Sequence, residues 1–292
     1  MLLGTAPVLA RAWLPHYDHV VVIVMSSHSP DTIVGSANAP YINGTLLAAG
    51  AQFSNSQAVA VPDQADYIAL LAGDYLNITA NTCPETNSTT DSLPRQLITA
   101  SLGFADYSDD LPADGDTSCA SGDYTRIHNP VTFFTDLPAT MNLQYSEFAT
   151  AAAADTLPTV SFVIPNLCHD MKGDTFGSCI AALTNTVKAG DQWLANNVPA
   201  FLSSTAGQHS LLIVTWDQGD IPISGSASLQ IPTIFIGPHV KSGYTSATAI
   251  THYAVLRLIE DLYALPLLRN AATAAQIADV FDDTIFLDSF DP

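Results

Sequence analysis

The sequence predicts an α/β sandwich, a parallel sheet covered by helices, and two observations carry that prediction. Four short runs rich in Val and Ile, at 19–25, 159–164, 210–215 and 232–236, show no apolar–polar alternation. Strands without alternation are buried on both faces, as in a parallel sheet with helices on either side. Helical stretches lie between these runs, and strands alternating with helices pack as α/β layers.

The first run, "HVVVIVM", is the longest apolar strand and ends abruptly at Ser26-Ser27-His28. Helical stretches at 40–50, 66–72 and 93–102 follow it. After the strand at 159–164, a long helix is expected around 185–203. The clearest helix lies at 252–264, where Val255, Leu256, Ile259, Leu262 and Tyr263 recur at helical spacing and Pro266 stops the pattern. The stretch 79–137 is poorer in apolar runs and rich in Asp, Ser, Thr and Pro, and reads as an insertion within a single domain spanning 1–292.

Over 292 residues, only 8 Lys+Arg face 28 Asp+Glu, a net charge of −20. That charge repels phosphate backbones and anionic lipid surfaces, which argues against a nucleic-acid partner. Cys83, Cys119, Cys168 and Cys179 lie in loop-like sequence without CxxC pairs, so two disulfides, most simply Cys83–Cys119 and Cys168–Cys179, are favoured over a zinc site. Asn-Xaa-Thr sequons at Asn43, Asn77 and Asn87 are candidate N-glycan positions. Cysteines and sequons together favour a secreted or extracellular eukaryotic product. No apolar stretch is long enough for a membrane span. The opening "MLLGTAPVLARAW" is short, lacks a basic n-region and reads as at most a signal-peptide remnant.

In open parallel sheets the ligand crevice lies at the carboxyl ends of the strands. Each predicted strand ends there in polar residues: Ser26, Ser27 and His28; Asn166, then His169 and Asp170; Asp217 and Gln218; His239. Turns are polar in any protein, but this accumulation points to a site.

Seven blocks, among them "YDHVVVIVMSSHSPDTIVG", "AVPDQADYIALLAG", "SGDYTRIHNP", "NLCHDMKGDTFGSCI", "LLIVTWDQGD", "IPTIFIGPHVKSG" and "HYAVLRLIEDLYALP", occur in the order seen in the phosphoesterase family of acid phosphatases and phospholipases C, which the chain resembles from about His16 to Pro266. The resemblance implies a three-layer α/β/α sandwich with a mostly parallel central sheet, alkaline-phosphatase-like, and metal-dependent phosphoryl transfer. In the family the first strand ends Glu-Asn, both metal ligands, and a Ser or Thr after Pro is the nucleophile. Here those positions read Ser26, Ser27 and Asp63. The family's Trp-Asp-Glu or Trp-Asp-Asp becomes Trp216-Asp217-Gln218, and Lys172 stands where a second histidine is common. Asp63 and Asp217 alone are too few charged oxygens for a tight divalent site. No metal and no cofactor are therefore expected.

The expected site combines Asp63, Asp217, His169 and His128 as acid–base groups with Ser26, Ser27, Tyr124, Arg126, Asp170, Gln218, Asp220 and His252 as substrate contacts. Arg126 and His128 serve a loop-structuring role equally well, and His252, at a helix start, packs or caps as readily as it binds. His28 reads as a turn residue, and His16, His19, His209 and His239 as surface or turn histidines. Three readings stay open: metal-independent acid–base chemistry, such as cyclisation, dehydration or isomerisation, on a small neutral metabolite; a non-catalytic pseudophosphatase binding a ligand or protein; and a residual phosphatase or phospholipase C type hydrolase.

Overall fold

The structure, a computed structural model, describes residues 14–173, 179, 185–220 and 228–282. Twelve strands run through these residues: β1 His19–Met25, β2 Ala51–Phe53, β3 Ser56–Gln57, β4 Phe104–Ser108, β5 Ala120–Ser121, β6 Tyr124–Thr125, β7 Asn142–Gln144, β8 Val160–Ile164, β9 Ser210–Trp216, β10 Thr233–Ile236, β11 Tyr244–Ser246 and β12 Ile250–Thr251. Eight of them form one sheet in the order β11-β2-β10-β9-β1-β8-β4-β7. β1 lies parallel between β8 and β9, with Val22 opposite Phe162 on one side and Ile213 on the other.

The missing alternation in β1 has a direct structural cause. Val20, Val22 and Val24 belong to the core on one face of the sheet, and Val21, Ile23 and Met25 to the core on the other. One core is covered by the helices Asp63–Ala72 and His252–Leu262, through Ile68, Leu71, Val255 and Ile259. The other is covered by Tyr145–Ala153 and Thr186–Ser203, through Phe148, Trp193, Leu194 and Phe201. This is the expected three-layer α/β/α sandwich.

Three details depart from the sequence reading. β10 runs antiparallel to both β9 and β2, a direction that a short buried strand does not encode. The stretch 79–137, read as an insertion, contributes a central-sheet strand, β4, which lies between β8 and β7 with all five residues buried. Its first residue pair, Phe104 and Ala105, is apolar, but Asp106 and Ser108 interrupt the run and mask it. The helix expected over 40–50 is a π-helical segment Ile42–Leu46 continued by one α-turn, Leu47–Ala49. Both disulfides form with the expected pairing, Cys83–Cys119 and Cys168–Cys179.

The Asn43 side-chain amide donates to the carbonyls of Ile33, Ser36 and Ala39, and its oxygen accepts from the Gly35 N–H.

Candidate active site

The site assembles at the carboxyl edge of β1, β8 and β9. β1 and β9 are stitched there by the Asp217 N–H donating to the Met25 carbonyl at 2.8 Å. The loop after β8 is tied in by the Ser26 N–H donating to the Asp170 carbonyl at 2.7 Å. Asn166 shapes that loop by accepting the Cys168 and His169 N–H groups on its side-chain oxygen, an Asx turn. Gly190 of the helix Thr186–Ser203 lets the loop pack closely, since a Cβ there would lie 2.9 Å from the His169 carbonyl and collide with Met171.

On this frame, Asp63 opens the helix Asp63–Ala72 and points a buried carboxylate at His128. Asp63 Oδ2 lies 3.2 Å from His128 Nε2, and Asp170 Oδ2 lies 3.2 Å from His128 Nδ1. Tyr67, one helical turn from Asp63, stacks on the imidazole with ring centroids 4.9 Å apart. The Lys172 ammonium closes the group: it donates to the same Asp63 oxygen and lies 3.4 Å from His128 Nε2. Asp63, His128, Asp170 and Asp217 are all 1% exposed or less, whereas the Lys172 side chain is 28% exposed, so lysine is the face of the cluster that meets solvent.

Asp217, with an oxygen within 4.8 Å of ligand atoms of Asp63 and His128, is held by the end of β1. It accepts the Ser26 hydroxyl at 2.7 Å and the Ser27 N–H at 3.0 Å, and the neighbouring Gln218 N–H also donates to it. Gln218 Nε2 lies 3.4 Å from the Ser27 hydroxyl.

Charge follows from these contacts. Burial would raise the Asp63 carboxyl, yet His128 and Lys172 outweigh it and hold the group well below the ordinary carboxylate range. Burial and the Lys172 charge press His128 towards neutrality, but Asp170 and Asp63 prevail and raise it to about 9. Burial opposes the Lys172 charge too, and Asp63 with Asp217 overcomes it and pushes the ammonium's pKa up. Asp217 goes the other way from Asp63: burial, reinforced by repulsion from Asp63, pushes it up to about 7.

The side chains present do not fit a divalent cation as they stand. A metal ligand must offer a free lone pair, and Asp63 Oδ2 already accepts from two cationic donors. His128, between two carboxylates, carries its proton and offers none. Asp217 remains, with Ser26 donating to it rather than competing for a cation. Another group of potential ligand atoms, Asp123, Cys168 and Cys179, has both sulfurs in a disulfide.

Of the residues expected from sequence, Asp63, His128, Asp170, Asp217, Ser26, Ser27 and Gln218 come together. The other five are engaged elsewhere. His169, expected as an acid–base group, pairs with Asp109 at 2.7 Å and stacks towards Trp193. Arg126 donates to the Thr117 and Thr132 carbonyls and ties its own loop. The Tyr124 hydroxyl accepts from the buried Asn129 amide. Asp220 holds His28 and the Ser29 N–H. His252 is fully buried behind the site, donating from Nε2 to the Trp216 carbonyl at 2.8 Å and facing Asp66 at 3.0 Å. Lys172 is the member that sequence reasoning left out of the site. Its signal was available: a cation in a chain with only 8 Lys+Arg, two residues after Asp170 at a strand-end loop.

Comparison with known proteins agrees with this architecture. Residues 42–266 match the profile described as Phosphoesterase family. The chain is 38% identical over 275 residues to a phosphatidylinositol-3-phosphatase of Mycobacterium tuberculosis, covering 94% of this chain and 86% of that protein. It is 23% identical to an acid phosphatase of Aspergillus fumigatus, covering 80% of this chain and only 53% of that protein. Among solved structures, a protein of the alkaline phosphatase superfamily from Vibrio parahaemolyticus superposes with a TM-score of 0.61 at 12% identity, over 92% of this chain and 72% of that one. Murine ectonucleotide pyrophosphatase/phosphodiesterase 5 does so with a TM-score of 0.61 at 11% identity, over 91% and 100%. The chain belongs to the phosphoesterase family and has an alkaline-phosphatase-like fold.

Proposed function

We propose that the protein hydrolyses phosphate monoesters at the Asp63–His128–Lys172–Asp217 cluster, with Lys172 and His128 supplying the positive charge that a divalent cation supplies elsewhere in the family. The observation that carries this reading is the shared oxygen: Lys172 Nζ and His128 Nε2 converge on Asp63 Oδ2 and lie 3.4 Å apart. His128 adds its buried charge behind Lys172, and the ammonium is the group placed to meet a phosphoryl oxygen. Lys172 carries three N–H donors, and its partly exposed side leaves donors for an incoming anion. Asp63 and Asp170 hold both cations charged, and Asp217 stands opposite as the proton acceptor.

The printed activity of the Mycobacterium relative makes phosphatidylinositol 3-phosphate a substrate to try. A net charge of −20, however, opposes adsorption to anionic lipid surfaces, so soluble phosphomonoesters are expected to turn over faster than the same group on vesicles. The two disulfides support an extracellular location. A second reading, acid–base chemistry on a neutral metabolite, draws on the raised pKa of Asp217. It leaves Lys172 without a task.

The test is phosphate release from p-nitrophenyl phosphate with and without a chelator. The expected result is a rate unaffected by EDTA and lowered at least about a hundredfold by Lys172→Ala, the usual cost of removing one transition-state donor. Dependence on an added divalent ion, or full activity of Lys172→Ala, overturns the proposal.

A further inference from the structure

The geometry points to Ser27 as the nucleophile that attacks phosphorus, activated through Ser26 by Asp217; the inference rests on the phosphatase reading above. In the family the nucleophile follows proline, at the position of Asp63 here. That carboxylate is a poor candidate in this chain, since one oxygen accepts from His128 and Lys172 and the other from the Gln64 N–H, and the residue is 1% exposed. Ser27 is different on each count. It is partly exposed at the end of β1, while Ser26, Asp217 and Gln218 around it are buried.

With Asp217 ionised, counting protons gives the direction of the hydrogen bonds. Ser26 has one hydroxyl proton and donates it to Asp217 Oδ2 at 2.7 Å, a contact in which the carboxylate accepts. The 3.1 Å contact between the two serine hydroxyls must then run from Ser27 to Ser26. The result is a one-way relay, Ser27 O–H to Ser26 O–H to Asp217, which is the arrangement of an activated hydroxyl nucleophile. Ser27 also sits at φ 59°, in the left-handed region that a serine adopts at a cost, with its N–H fixed on Asp217 Oδ1. That conformation holds the hydroxyl at the edge of the sheet.

In the first step, Ser27 Oγ bonds to phosphorus as the bond from phosphorus to the departing alcohol oxygen breaks. The Ser27 proton passes to Ser26 Oγ and the Ser26 proton to Asp217 Oδ2. In the second, water adds to phosphorus, the bond to Ser27 Oγ breaks, and the relay returns the proton from Asp217 to Ser27. One water proton stays on the released phosphate, and the other balances the alkoxide that left. The sum consumes one water and yields alcohol and inorganic phosphate.

The test uses the full chain with p-nitrophenyl phosphate. Acid-quenched wild-type protein should carry one phosphoryl group, mapped by peptide mass spectrometry to Ser27. With methanol present, the ratio of methyl phosphate to inorganic phosphate should be the same for different aryl leaving groups, as a common phosphoenzyme requires. The decisive variant is Ser27→Gly, because glycine takes a positive φ without strain and should fold with a melting temperature no lower than wild type. It should lose more than about a thousandfold in kcat, as nucleophile removal does, while Ser26→Ala loses less. Ser27→Gly turning over at the wild-type rate, a label on another residue, or a product ratio that varies with leaving group overturns the assignment and leaves the phosphatase reading standing. No phosphate release by wild type overturns both.

Discussion

Two buried histidines face carboxylates in this molecule, and they do different things because of what sits on their second nitrogen. His128 lies between Asp63 and Asp170, so both nitrogens face acids and the ring is held cationic, raised to about 9 against burial. His252 faces Asp66 on one side and donates to the Trp216 carbonyl on the other. The carbonyl fixes the ring and, through it, the strand end. His128 is therefore a charge carrier. His252 is a strut between the helix Asp63–Ala72, which presents Asp63, and β9, which presents Asp217.

The comparison breaks most sharply at His128. His128→Ala leaves Asp63 and Asp170 buried without the cation between them, and removing one partner of a buried ion pair costs about 3–5 kcal/mol. Activity should fall as well, because the buried positive charge behind Asp63 and Lys172 is lost. Asp63 keeps Lys172, so adding Asp170→Asn to His128→Ala removes the carboxylate charge left without its ion-pair partner and should restore part of the stability without restoring turnover. Denaturant midpoints and phosphate release on the single and double variants measure both effects. If the double variant is no more stable than His128→Ala, the carboxylates are not the cause of the loss.

His252→Ala should cost less, about 2–3 kcal/mol, by stranding the Trp216 carbonyl and one donor on the buried Asp66 carboxylate. Asp66 keeps the Val59 and Ala60 N–H groups, so the loop before Asp63 stays anchored. The activity of the folded fraction should stay within about tenfold of wild type, since a strut set back from the chemistry affects it only through position. A variant that is as stable as wild type but silent would place His252 in the chemistry and erase the distinction.

These contrasts explain what was legible in the sequence and what was not. β1 and β9 were readable because burial on both faces removes alternation, and because an apolar run ending in Ser26-Ser27 or Asp217-Gln218 marks the point where the sheet edge begins. β4 was not, since Asp106 and Ser108 put polar groups into a buried strand. The site was partly readable for the same reason as the strands: residues at carboxyl ends converge. Pairings across the chain were not readable. Lys172 meets Asp63 across 109 residues, and His252 meets Asp66 across 186. His169 misled because it stands next to Asp170 in sequence, yet its ring pairs with Asp109.

Asp106 sharpens the comparison from the opposite side, as a buried carboxylate with no cationic partner among the described residues. Its Oδ1 accepts the Ser108 hydroxyl, and its Oδ2 has no hydrogen-bond partner among the described residues. Burial pushes it up to about 8, with the Ser108 hydrogen bond opposing. An unfolded chain has this group near about 4, so between the two values the folded state holds a proton that the unfolded state has released. The contribution to stability is complete below about pH 4 and is lost as pH rises towards the folded value, at up to about 1.4 kcal/mol per pH unit. Asp106→Asn keeps the shape and removes the titration. Melting temperature measured from pH 5 to 8 should therefore fall less steeply for the variant than for wild type. Parallel slopes would mean that Asp106 is ionised in the folded protein, and that a buried carboxylate here can do without the cation that Asp63 and Asp170 share.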